Sequence, residues 1–128
     1  MGDWENLTFD YLEDKFSDSY GLCFKNFGRA SCVNGESVLD LQNRFESEIR
    51  KIAEGNKGKT IFVFTHSGAI RTFVAKCYNK PIDEMKDVPW STNASITITE
   101  YNNGEFKVIE YSKYSHLGEA ITSLPKNV

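Results

Sequence analysis

The sequence has 128 residues, 40% hydrophobic and 26% charged, with a formal net charge of −3 and a pI near 5.4. That length suits one domain, able to hide roughly two-thirds of its unfolded surface, and the composition is that of ordinary globular chains. An acidic balance without a clustered basic face argues against nucleic acid or an anionic membrane as the main partner.

The first helix signal is Thr8, a good N-cap, with Leu7 and Leu12 at the two ends of a hydrophobic staple. The helix should run to Lys15 or Phe16. From Ser17 to Gly35 no apolar period persists, which predicts mainly loop with a short helical turn. From Ser37 onward, Val38, Leu41, Phe45, Ile49 and Ile52 recur every three or four residues, the pattern of an amphipathic helix, and Gly55-Asn56 stop it. The stretch Lys51 to Lys59, interrupted by Glu54, reads as a solvated helix end. Thr60 to Thr65 is apolar on both faces, as an interior strand covered by helices requires. It ends at His66-Ser67-Gly68, where a third helix begins with Ile70, Phe73, Val74 and Cys77 on one face; Asn79 and Pro81 end that helix. Ser95 to Thr99 alternates with period two, Asn102-Asn103-Gly104 is a turn, and Phe106 to Tyr111 is rich in β-formers, so a hairpin is predicted. The whole chain, 1–128, reads as one domain, with residues 118–128 as a surface tail.

Ile61 to Phe64, the longest strongly apolar run, is far short of the roughly 20 residues of a membrane span. Met1 to Lys15 has neither a basic n-region nor an apolar h-region, so no secretory leader is expected. Cys23, Cys32 and Cys77 are an odd set for disulfides, and reduced thiols in a cytoplasmic setting are expected.

Four local signatures follow one another in a set order. Gly2-Asp3-Trp4-Glu5-Asn6-Leu7-Thr8 resembles the Gly-x-Trp-Glu-Gly-Leu-Thr segment of the histidine phosphatase (phosphoglycerate-mutase-like) superfamily. Gly35-Glu36-Ser37 with Asp40 and Arg44 resembles that family's Gly-Glu-Ser helix start. Thr60 to Arg71 is similar to the strand and turn bearing its second catalytic histidine, and Asn93-Ala94-Ser95-Ile96 with Ser115-His116-Leu117 is similar to its closing region. Gly2-Asp3-Trp4-Glu5 also resembles α-ribazole phosphatases of cobalamin synthesis. The family's opening Arg-His-Gly is not in this sequence, whose only histidines are His66 and His116.

The resemblance implies an α/β, three-layer, phosphoglycerate-mutase-like fold, present as a fragment lacking the first three strands of the mixed sheet. It implies a phosphomonoester hydrolase, or less favoured a mutase, that works through a phosphohistidine on a small phosphorylated metabolite, without metal or organic cofactor. Arginines and the second histidine would clamp the spread phosphoryl charge while a carboxylic acid protonates the leaving oxygen. His66 would be that second histidine and Glu36 the proton donor. Ser67, Gly68 and Asn93 would contact substrate, Asn93 and Trp4 as pocket walls. His66 has independent support in lying between a buried strand and a helix N-terminus, where N–H groups favour an anion. The plainer alternatives are a structural histidine in a βα turn, an acidic residue complementing a helix dipole at Glu36, packing at Trp4 and Asn93, and a catalytically inactive remnant that binds an anion or a protein.

Without the opening strands, Ile61 to Phe64 would have no lateral neighbour. It should then either shift to pair with Ser95–Tyr101 or associate with a second copy as a homodimer. Two competing motifs carry little. Cys23 to Arg29 has the Cys-x5-Arg spacing of cysteine phosphatases but lacks the flanking strand and helix that would cradle phosphate. Thr65-His66-Ser67-Gly68 lacks the first glycine of a nucleophile elbow. The histidines and cysteines show no metal-ligand spacing.

Overall fold

The computed structural model describes residues 1–120. A 3-10 turn (Gly2–Trp4) leads to helix α1 (Phe9–Lys15). Thr8 is extended, and its hydroxyl accepts a hydrogen bond from the Tyr11 N–H at 3.3 Å, satisfying one donor of the first turn, while Leu12 is buried.

A single residue, Phe16, separates α1 from α2 (Ser17–Lys25), so the segment expected to be mainly loop is in fact largely helical. The reason lies in a ring from elsewhere in the chain, that of Trp4. Trp4 packs against Phe16 and Tyr20 with centroids 6.3 and 5.7 Å apart, and Tyr20 meets Phe24 edge-on at 5.1 Å. Leu22 and Cys23 reach the core, yet no residue of α2 is fully buried. A helix held by scattered half-buried contacts shows no clean apolar stripe.

After a second 3-10 turn (Phe27–Arg29), Ser37 caps α3 (Val38–Gly55) through a reciprocal box with Asp40. Gln42 is buried and donates to the Thr72 carbonyl at 2.7 Å, tying α3 to α4 (Ser67–Cys77). Val74 and Ala75 of α4, with Val38, Ala30, Met85 and Val88, form the core. A third 3-10 turn (Ile82–Asp87) approaches Phe27–Arg29 so closely that a Cβ at Gly28 would stand 1.8 Å from the Ile82 carbonyl oxygen. Only glycine admits that contact.

Strands β1 (Ile96–Asn102) and β2 (Glu105–Lys113) pair antiparallel with Asn102 opposite Glu105. Asn103 and Gly104 both have positive φ, 51° and 86°, the geometry of the tight turn the sequence predicts. Arg50 of α3 stacks on Tyr101 and Phe106 and donates to the Gly104 carbonyl, pinning the hairpin tip to the helix. Phe73 of α4 packs on Phe106 at 5.0 Å.

Between α3 and α4, Thr60 to Thr65 runs without a strand assignment and is exposed throughout. This corrects the expectation of a buried interior strand: an extended segment becomes one only when neighbours take its N–H and C=O groups. The expected shift onto Ser95–Tyr101 does not occur, since β1 pairs only with β2 among the described residues. The chain is therefore helices plus a two-stranded antiparallel sheet. Ser115–Ala120 is a 3-10 segment broken at Gly118, and the remainder of the tail expected over 118–128 lies outside the described residues.

Candidate anion site at the start of helix α4

His66 is the N-cap of α4, with extended backbone (φ −106°, ψ 150°) and an exposed side chain that does not cap the helix. Its carbonyl accepts the first helical bond, from the Ile70 N–H at 3.1 Å. The N–H groups of the first turn have no intrahelical acceptor, and the helix dipole adds partial positive charge beside the imidazole. An anion placed there would meet the ring and those N–H groups together.

Ser67 and Gly68 begin the helix. The Ser67 hydroxyl donates to the Ser91 carbonyl at 3.3 Å and accepts from the Ser91 hydroxyl at 2.9 Å, so its side chain is committed to the buried Ser91. What Ser67 can offer a ligand is its backbone N–H. A Cβ at Gly68 would meet the Phe27 ring at 3.4 Å, an ordinary contact. Packing therefore tolerates a methyl group at Gly68. Asn93 is exposed two residues beyond Ser91, on the loop that the serine pair ties to α4. His116 Nε2 stands 3.1 Å from the carbonyl of Ala94, a residue with φ +57°.

Glu36 stands just ahead of the Ser37 cap of α3. Arg44 donates to it through Nε at 2.7 Å and Nη2 at 3.0 Å, and this paired guanidinium holds the carboxyl below its ordinary range. Glu36 lines a largely apolar cavity of about 260 Å³ with Trp4, Leu12, Cys23, Phe27 and Val38, and His66 is not in that lining. Phe27 lines this cavity, and its ring also faces Gly68. A carboxyl kept ionised by an arginine is poorly placed to give up a proton unless that pair opens.

Arg71 is the residue whose surroundings were least legible. It is buried, donates through Nε to the Val88 carbonyl at 2.6 Å, and stacks 4.6 Å from the Trp90 ring. Burial pushes its guanidinium below the usual range. It faces carbonyls and rings, so it is a brace between α4 and the loop of residues 82–91. Trp90 and Ser91, which complete the surroundings of the α4 start, lie in a stretch without periodicity, and only the serine pairing reveals them.

The competing cysteine motif has no phosphate cradle. Cys23 is inside α2 with its thiol pushed up by burial, and Arg29 is paired with Asp83 at 2.9 Å. Among the described residues no group of three or more histidine, cysteine or acidic side chains could hold a metal, and no helix is long and apolar enough to cross a membrane.

The fold is similar to that of Bacillus stearothermophilus YhfR, with a TM-score of 0.84 and 26% identity over 91% of this chain and 58% of that one. The chain thus spans less than two-thirds of YhfR's length. A search of curated proteins returned no match. Residues 1–113 match the family described as "Histidine phosphatase superfamily (branch 1)". That range takes in the Trp4 segment, the Ser37 cap, the His66 turn and the hairpin, and the chain belongs to the histidine phosphatase superfamily.

Proposed function

We propose that this chain is the His66-bearing part of a phosphomonoester hydrolase of the histidine-phosphatase type. The observation that carries the reading is the position of His66: exposed, at the cap of α4, within a family match covering residues 1–113. The reaction would pass through a phosphohistidine formed on a histidine outside this sequence, since neither His66 nor His116 follows an arginine. His66 and the N–H groups of Ser67 and Gly68 would hold the non-bridging oxygens as charge redistributes. Glu36 would serve as proton donor to the leaving oxygen only once substrate drew Arg44 away, because the bidentate pair otherwise keeps it ionised. Asn93 would lie at the rim, on the loop tied to Ser67. The substrate class is a small phosphorylated metabolite, and the chemistry calls for neither metal nor organic cofactor.

A second reading, a non-catalytic module that binds an anion, is favoured by the commitment of the Ser67 hydroxyl and of Glu36 to protein partners. One experiment tests the anion site that both readings share. Turnover of p-nitrophenyl phosphate by this chain should equal that of His66→Ala, because loss of a nucleophile costs about a millionfold. Titration with inorganic phosphate to about 10 mM, an affinity range typical of weak ligands, should shift the His66 ring signals in NMR and leave those of His116 in place. Phosphate shifts without turnover support the anion site in either reading. Turnover above the alanine variant would show catalysis by this chain that depends on His66, and unmoved His66 signals would remove the anion site altogether.

A further inference from the structure

Helix α4 starts without a cap of its own: the His66 side chain makes no capping bond, and Gly68 stands in the first turn. A glycine there adds freedom to a helix end that already tends to fray. A side-chain cap would restrain the turn, but it would also take N–H groups that an anion needs. The turn is restrained from the side instead. Ser91, 3% exposed, donates its hydroxyl to Ser67 Oγ at 2.9 Å, and Ser67 Oγ donates in return to the Ser91 carbonyl at 3.3 Å. Two bonds between the same two residues fix an orientation as well as a distance. They engage the Ser67 hydroxyl and none of the first-turn N–H groups.

The loop that carries Ser91 is itself tied down on both sides of it. The Val88 carbonyl accepts from Arg71 Nε at 2.6 Å, the Pro89 carbonyl accepts from the Tyr111 hydroxyl, and the Thr92 N–H donates to Ser112 Oγ at 2.9 Å. Ser112 has φ +51° where β2 carries one more residue than β1, since the step from Ile96 to Ile98 moves the partner from Lys113 to Glu110. Such a bulge re-aims a side chain out of the ladder, and here the Ser112 hydroxyl reaches the loop. A serine in that conformation is strained, and its hydroxyl bonds to Thr92 and, at 3.2 Å, to Ser95 Oγ hold it there. We propose that Ser91 is a positioning residue for the anion site, holding the first turn of α4 so that the N–H groups of Ser67 and Gly68 meet the same anion as the His66 ring. This rests on the reading of the α4 start as the anion site. Ser91 acts through Ser67 and touches no substrate.

Phosphate titrations at fixed ionic strength, followed by NMR at the His66 ring and the Ser67 and Gly68 amides, give the apparent affinity. Carried to about 100 mM, they follow a tenfold loss from a millimolar affinity. Ser91→Ala should weaken binding by about three- to tenfold, the scale of a hydrogen bond between neutral groups. Ser67→Ala should weaken it by a similar factor, and the double variant by no more than either single one, because both remove the same pair. Should Ser91→Ala unfold, Ser67→Ala, at a half-buried position, still reads that pair. Ser95→Ala removes a loop bond that does not reach α4 and should change the affinity by less than about twofold. A loss at Ser95→Ala equal to that at Ser91→Ala would mean that Ser91 only stiffens the loop, and the proposal would fall. It would fall equally if signals that move in the unsubstituted chain moved with the same midpoint in Ser91→Ala and Ser67→Ala, or if the losses of the two single variants multiplied in the double one. Signals that stay in place in the unsubstituted chain would instead remove the anion site and, with it, the role of Ser91.

Discussion

The guanidinium of Arg71, 7% exposed, donates to the carbonyls of Val88 at 2.6 Å and Met85 at 3.4 Å and lies over Trp90. No carboxylate pairs with it among the described residues, so its charge is compensated by backbone dipoles and ring faces. A methionine here would keep much of the packing and lose the donors. Arg71→Met is expected to cost about 2–4 kcal/mol in denaturant unfolding, the scale of removing charged donors from buried acceptors. A change below about 0.5 kcal/mol would mean that water replaces the donors and that Arg71 is no brace. The stripe of Ile70, Phe73, Val74 and Cys77 places Arg71 in a helix. That it faces carbonyls 14 and 17 positions away was not legible, because nothing local to an arginine records which loop folds over it.

Helix α3 shows what local chemistry does determine. The Ser37 hydroxyl accepts the Asp40 N–H at 3.1 Å, and the Asp40 carboxylate accepts the Ser37 N–H at 3.2 Å. Two first-turn donors are satisfied within four residues, so the start of the helix can be read from its sequence alone. Ser37→Ala is expected to lower stability by about 1 kcal/mol, and Ser37→Asn by much less. Equal losses for the two variants in thermal unfolding would show that the cap is incidental. The hairpin is legible for a similar reason, since Asn103-Gly104 supplies both positive φ values its turn needs. The α2 helix was not, because its stability comes from Trp4 and the core rather than from its own period.

Two half-buried acids link the whole molecule to alkaline pH. Burial raises the Cys77 thiol from 9.0 to about 11 and the Tyr111 hydroxyl from 10.0 to about 12. Both groups are favoured in their neutral form by the fold, and Tyr111 donates to the Pro89 carbonyl. In the unfolded chain they lose protons first, so the unfolded state binds fewer protons and stability falls as pH rises. Their contribution is fully present below the ordinary values of 9.0 and 10.0 and is lost as pH passes through the raised ones. The thermal midpoint should therefore drop between about pH 8 and about pH 11, and Cys77→Val should flatten part of that drop. An identical pH profile for the variant would exclude Cys77 as a contributor.

The sequence by itself determined the helices α1, α3 and α4, the hairpin, the family and the place of His66 at a helix start. Each of these rests on residues within about a turn or two of one another: a cap, a 3.6-residue stripe, a paired turn, a short motif. Only the tertiary structure decided that α2 is helical, that the Ser67 hydroxyl is committed to Ser91, that Arg44 holds Glu36 ionised, and that Arg71 braces a loop. The fate of Thr60 to Thr65 shows the division most plainly. Its composition calls for burial on both faces, yet Phe64 is 94% exposed. A strand's apolar pattern states what it needs, but whether the need is met depends on backbone partners supplied from elsewhere, and no property of six consecutive residues can provide them.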